Sequence, residues 1–260
     1  MSHWTFLRAL IATNLKASTA LRGAFLMQCF FMVLNNLIFF AVWWIFFKNF
    51  REIGGWGLPE ITALYGVVAG CFGWAMILGG GIRHLARMIT DGDLDSFMTQ
   101  PKNLLVHAAG SHSMASGWGD VISAIILIHF SGYLTWHNLP VLVLCMISGT
   151  LLFMCAGVLF NSMAFFLGPV DTLARQMFEF VVTFSVYPQT IFTGYMKLML
   201  FTLIPAGFIG YLPIEALRDF RWSHLVAIIV GTAAYAGFTL VVFHLGLKRY
   251  TSGNRVGVRV

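Results

Sequence analysis

Charge-free stretches dominate the chain, and a helix that crosses ~30 Å of hydrocarbon needs about 20 residues. Gly23 to Phe47 is the first such stretch. It closes on Trp43, Trp44, Phe46 and Phe47 before Lys48, an aromatic belt followed by a cation. Ile61 to Ile82 is the second, stopping at Gly79, Gly80 and Gly81 and then Arg83. The third centres on Val121 to Trp136 and extends backward through Leu104 to Gly119 as a longer helix that starts near Pro101, with only Asp120 interrupting it. The fourth fills most of Asn138 to Val170 and ends at Gly168-Pro169, so that Asp171 and Arg175 lie in a short loop. Phe180 to Tyr195 is the fifth, bent or ended by Pro188, and Trp222 to Leu247 is the sixth.

Between the fifth and sixth lies Leu198 to Ile214, which is apolar but carries Pro205, Gly207, Gly210 and Pro213. These residues interrupt a straight span, and the segment reads as a re-entrant hairpin over 196–218. Charge agrees. Lys and Arg gather on the cytoplasmic side of membrane proteins. With six spans, Arg8, Lys16, Arg22, Arg83, Arg87, Lys102, Arg175, Lys248, Arg249, Arg255 and Arg259 fall inside, and Lys48, Arg51, Lys197, Arg218 and Arg221 outside. Counting the hairpin as a seventh span would place the four C-terminal cations outside. The sequence therefore predicts an all-α integral membrane fold with six transmembrane helices and both termini cytoplasmic.

Ahead of the first span, Trp4, Leu7, Ile11 and Leu15 recur at helical spacing with Arg8 and Lys16 elsewhere on the helix. That is the pattern of an amphipathic helix lying on the membrane surface, over 1–22. No signal peptide is expected, since no continuous apolar core precedes a small-residue cleavage site. Repeats and flexible linkers are absent, so 1–260 reads as one membrane domain.

Composition makes the same point more strongly. Apolar residues are 58% and charged residues 10%, against roughly 25% charged in an average soluble domain. The 16 basic residues outnumber the 10 acidic ones, yet they sit at the ends of apolar runs rather than in a patch with interleaved aromatics, which excludes nucleic acid as a partner. Cys29, Cys71, Cys145 and Cys155 each lie inside an apolar run with no metal or disulfide spacing.

Chemistry has few places to sit. His107, His112, His129 and His244 fall on separate helices with no acid nearby, so no metal site is expected. Ser111-His112-Ser113 cannot form a nucleophile–base pair, because adjacent helical residues point apart. Asp120 is costly at bilayer depth, ~2.5–3.5 kcal/mol at the centre, and must face protein or water. It reads either as a proton or substrate relay or as a helix–helix hydrogen bond, and Glu179 near the start of the fifth span has the same two readings. The polar stretch over 84–103 reads either as a solvated loop or as a short docking helix. In the second reading Asp93 or Asp95 caps it, Leu94, Phe97 and Met98 share a face, and Pro101 forces the chain to restart.

The amphipathic start, the six spans, Asp91-Gly92-Asp93-Leu94-Asp95-Ser96-Phe97-Met98-Thr99-Gln100-Pro101 followed by Leu104-Leu105, and the Pro-interrupted sequence before the last span together resemble a type-2 ABC exporter permease. The likeness runs along nearly the whole chain, and the loop is similar to that of a poorly characterised bacterial subgroup. It implies a bacterial inner-membrane transport subunit that is not an enzyme and works as a dimer, with a second copy or a paralogous permease, in membrane lipid. ATP and Mg would bind a separate ABC ATPase, because the sequence has no Gly-rich loop ending in Gly-Lys-Ser or Gly-Lys-Thr. It further implies that Asp91, Asp93, Leu94, Asp95, Phe97 and Pro101 belong to a cytoplasmic coupling helix seated in the ATPase, and that Pro205 and Pro213 mark an extracellular re-entrant hairpin. The alternative from another class is a stand-alone secondary transporter or channel, which would use intramembrane charge such as Asp120.

Overall fold

The computed structural model describes residues 3–251, with side chains from residue 9 onward. The side chains of Trp4, Leu7 and Arg8, together with Arg255 and Arg259, lie outside the described residues. In chain order the helices are α1 (His3–Thr19), α2 (Arg22–Asn49), α3 (Leu58–Gly79), which runs through a 3-10 turn into α4 (Leu85–Thr90), α5 (Leu94–Met98), α6 (Leu104–Ala109) and α7 (Ser116–Phe130). Then come α8 (Leu139–Ser162), α9 (Ala164–Leu167), α10 (Asp171–Ser185), α11 (Tyr195–Met199), α12 (Leu212–Arg218) and α13 (Trp222–Leu247). Among the described residues the only strand-like pairing is the bridge between Ile53 and Trp56.

Among the described residues four helical stretches are long and apolar enough to cross a membrane: Arg22–Asn49, Leu58–Thr90, Leu139–Leu167 and Trp222–Leu247. α7 is apolar but shorter. α3 and α8 form the centre, and α2 lies at the periphery with Cys29 its one buried residue.

Lipid tails are as apolar as leucine, so these helices are held by close packing and hydrogen bonds rather than by escape from water. Gly66, Gly70 and Gly73 provide the closeness, lying along the side of α3 that meets α7. A Cβ on Gly73 would stand 2.6 Å from the Gly117 carbonyl oxygen and 2.8 Å from the Asp120 Cβ. Gly117 is equally confined by the carbonyl of Gly73. Backbone touches backbone here, and only glycine permits it.

Two segments depart from the sequence reading. Leu104 to Gly119 is not one helix. α6 ends at Ala109 and the chain wraps the end of α3, where the Met114 N–H donates to the Met76 carbonyl at 3.1 Å. The helix placed at Phe180 to Tyr195 lies earlier, at Asp171–Ser185, because Asp171 and Arg175 pair one turn apart and start it within the supposed loop. Pro188 ends it, since it can offer no N–H to the Phe184 carbonyl. The Tyr211 hydroxyl takes that carbonyl instead, at 2.6 Å.

The hairpin region holds α11, then turns, a π-helical turn at Gly207–Tyr211 and α12. The widened turn precedes Pro213, which has no N–H for a regular ladder. Leu200, Ala206, Ile209, Ile214 and Ala216 are buried, and the Tyr235 hydroxyl donates to the Leu203 carbonyl at 3.2 Å. At this end Glu60 gathers three elements. It accepts the Gly57 N–H at 2.9 Å and the Tyr133 hydroxyl at 3.0 Å, and lies 4.0 Å from Arg218 of α12.

Candidate functional site

The polar segment after α3 folds into a small platform at the opposite end from Glu60. Asp91 closes α4, and Gly92 at φ +79° makes the turn that α5 needs. Asp93 stands at the N-cap of α5 without capping through its side chain. The Ser96 hydroxyl donates to the Asp93 carbonyl at 2.7 Å. Pro101 follows α5 in an exposed turn, and Asn103 caps α6 by accepting the Val106 N–H at 3.1 Å.

α5 does not present Leu94 to a partner. Leu94 is fully buried in a second apolar core with Leu85, Ile89, Ala108, Val158 and Phe243. The reason is local: the α4–α5 turn folds the first residue of α5 back over the ends of α8 and α13. Phe97 is half-buried, its ring 4.9 Å from that of His107 in α6. Asp91, Asp93, Ser96, Met98, Thr99, Gln100 and Pro101 are exposed, and Asp95 is half-exposed. The outward surface is therefore acidic and polar around Met98.

The platform is fastened on several sides. The Asn161 carboxamide at the end of α8 accepts the Ala86 N–H at 3.2 Å and donates to the Gly157 carbonyl at 2.8 Å. Arg87 of α4 reaches Asp171 of α10 at 3.3 Å, and Arg175 pairs with the same carboxylate. Tyr250, after α13, sets its ring 6.1 Å from Phe165, and its phenol faces Asp95 and Asp93. Burial and the Asp95 carboxylate push that phenol up to about 12. Sequence reading missed Tyr250, Asn161 and Arg87, because each acts across the fold and none lies in a motif.

Elsewhere, Asp120 is 2% exposed, and its carboxylate accepts the Asn36 amide at 2.8 Å. The same amide lies 3.3 Å from the Ser123 hydroxyl, which donates to the Gly119 carbonyl at 2.8 Å. The geometry is that of a hydrogen-bonded pin between α2 and α7. Glu179 stands mid-way along α10, half-exposed and 3.7 Å from Arg83. Glu179 pairs with Arg83 whereas Asp120 is held by Asn36, so the two acids serve separate contacts. Pro205 and Pro213 lie at the Glu60 end, away from the platform. Among the described residues no three His, Cys, Asp or Glu come together to hold a metal.

No curated protein matches the chain. A family model described as ABC-2 family transporter protein matches residues 30–254. That range takes in α3 to α13 and the whole platform between α3 and α7. With a match across most of its 260 residues and four membrane-capable helices among the described residues, the chain belongs to the ABC-2 transporter family.

Proposed function

We propose that the chain is the permease subunit of an ATP-driven exporter in the bacterial inner membrane, coupled through α5 to a separate ABC ATPase. The observation that carries this reading is the build of the platform. α5 turns Asp93, Ser96 and Met98 outward while Leu94 roots it among α4, α6 and the ends of α8 and α13. A surface so rooted passes movement inward instead of absorbing it.

In this reading α2, α3, α7, α8, α10 and α13 cross the bilayer, and α1 lies on the cytoplasmic surface beside the platform. Residues 195–218 then form the outer re-entrant hairpin, with Pro205 and Pro213 in it, and both termini are cytoplasmic. The positive-inside balance supports this assignment. Two permeases, identical or paralogous, enclose the path. ATP with Mg binds the ATPase pair and closes it, and the two platforms move together. Their movement shifts the permeases between inward and outward access by differential contacts in two states.

The test is gentle purification of the tagged protein from its own membrane, with mass spectrometry of what accompanies it. Wild type is compared with Asp93→Arg plus Met98→Arg, both on the exposed side of α5. A stoichiometric ABC ATPase with the wild type, lost in the variant, is the expected result. A monodisperse wild type without any ATPase, across several mild detergents, would favour the stand-alone transporter instead.

A further inference from the structure

On one face of the helices two concavities run into each other. The first, of about 610 Å³, lies between α3, α7 and α8, walled by Trp74, Ile125, Val143 and Ile147. The second, of about 410 Å³, lies between α1, α6, α8 and α13, walled by Ile11, Leu105 and Leu240. Leu78, Leu151 and Met154 line both. They therefore form one groove, which follows α8 from Leu139 to Val158. At 1.5 Å per residue that run is ~28 Å long, about the depth of bilayer hydrocarbon.

Its ends fit the same depth. Trp136, 91% exposed, stands beyond the Leu139 end, where an aromatic ring marks the interface. The amphipathic α1 closes the Val158 end with Leu10 and Ile11. Between them the walls are overwhelmingly apolar, and most of their polar donors are spent inside the protein. Thr150 donates to the Cys71 carbonyl, Thr239 to the Cys155 carbonyl and Asn14 to the Gly110 carbonyl. A sugar, peptide or ion would find few groups to bond. A partner helix is a poor fit as well, because membrane helix contacts use Gly, Ala and Ser to approach closely, whereas Trp74, Ile125, Val143, Ile147, Leu151 and Met154 stand in the way.

We propose that this groove is a built seat for the acyl chains of bilayer phospholipids, one chain entering from each leaflet and the two meeting at Leu78, Leu151 and Met154. The seat rests on the chain spanning a bilayer and on no coupling to ATP. Each methylene buried there contributes to holding the lipid, so its chains exchange more slowly than those along the flat face of α2.

The test uses the full chain in nanodiscs of phosphatidylethanolamine and phosphatidylglycerol containing a phosphatidylcholine with a diazirine on its acyl chain. After photolysis, adducts are mapped by mass spectrometry. Per residue, Ile147, Leu151 and Met154 should carry about tenfold more adduct than Ile38 and Val42 of α2, a preference equivalent to ~1.4 kcal/mol. The exposures, 63% at Ile147 and 42% at Leu151 against 58% at Ile38 and 64% at Val42, predict no such preference. Leu151→Trp, which fills the groove, should remove the preference at Ile147 and Met154 and leave α2 labelling unchanged. Leu151→Ala, which widens it, should retain the preference. Adducts that simply follow exposure in the wild type, a groove that stays unlabelled, or labelling indifferent to Leu151→Trp would each overturn the proposal. Should Leu151→Trp not fold, the wild type and Leu151→Ala still decide.

Discussion

The Asn161 carboxamide accepts the Ala86 N–H at 3.2 Å, joining the end of α8 to the first turn of α4. Both groups are buried, so the bond has no water to replace it. Asn161→Leu leaves the Ala86 N–H and the Gly157 carbonyl without this partner. The expected loss is about 1–3 kcal/mol of stability, read as a lower midpoint in denaturant titration of the detergent-solubilised protein.

Leu94 and Met98 are four residues apart on α5 and should behave oppositely. Leu94→Ala opens a cavity in the platform core, at a cost of about 2–5 kcal/mol, and should expose the α4–α6 segment to limited proteolysis. Met98→Arg touches only the exposed side. It should leave the protease pattern and thermal midpoint unchanged while reducing ATPase retention.

Asn36 and Asp120 should be energetically coupled. A double-mutant cycle with Asn36→Leu and Asp120→Leu is expected to return about 0.6–1.7 kcal/mol, the range for hydrogen bonds between membrane helices. Asp120→Asn keeps an oxygen for the Asn36 amide and should retain most of that stability. An essential proton relay at Asp120 would instead make Asp120→Asn as damaging to transport as Asp120→Leu.

Much of the helical frame was legible because charge-free length is a strong signal. The runs that became α2, α3, α8 and α13 stood out, and Gly168 at φ +78° ends the α8–α9 stretch where Gly168-Pro169 predicted. α10 was misplaced because the reading treated Asp171 and Arg175 as loop residues. In the fold the Asp171 carboxylate pairs with both Arg175 and Arg87, so a charged first turn is accommodated in α10. The platform was legible as a place but not as a surface. Spacing alone grouped Leu94 with Phe97 and Met98, while the turn at Gly92 decides that Leu94 goes inward.

Gly73 and Gly237 offer a matched pair. Gly73→Ala puts a methyl against the Gly117 carbonyl, a backbone atom that cannot swing away. A Cβ on Gly237 meets nothing within 4 Å. Gly73→Ala should therefore lower the thermal midpoint by several degrees, and Gly237→Ala should leave it unchanged or raise it slightly, since helix propensity favours alanine by up to ~1 kcal/mol.

Tyr133 carries a pH signature. Burial first, then its hydrogen bond to Glu60, push its phenol up to about 12 from an ordinary 10.0. A pKa raised in the folded state stabilises below the unfolded value and is lost as pH climbs through the folded one. The stability difference between wild type and Tyr133→Phe should be flat below about pH 10 and fall between about 10 and about 12. A difference independent of pH across that window would mean that the fold does not raise the phenol's pKa.

The contact of Gly73 with Gly117 has a mechanical consequence. Two helices whose backbones interlock cannot slide past one another without first separating, so α3 and α7 turn or tilt only as a single rod. The platform of α4 to α6 is the strap that joins their ends. In the proposed coupling, a push on it would lever the whole rod, and the Glu60 end, where Tyr133 and Arg218 meet α3, would be the far tip of that lever.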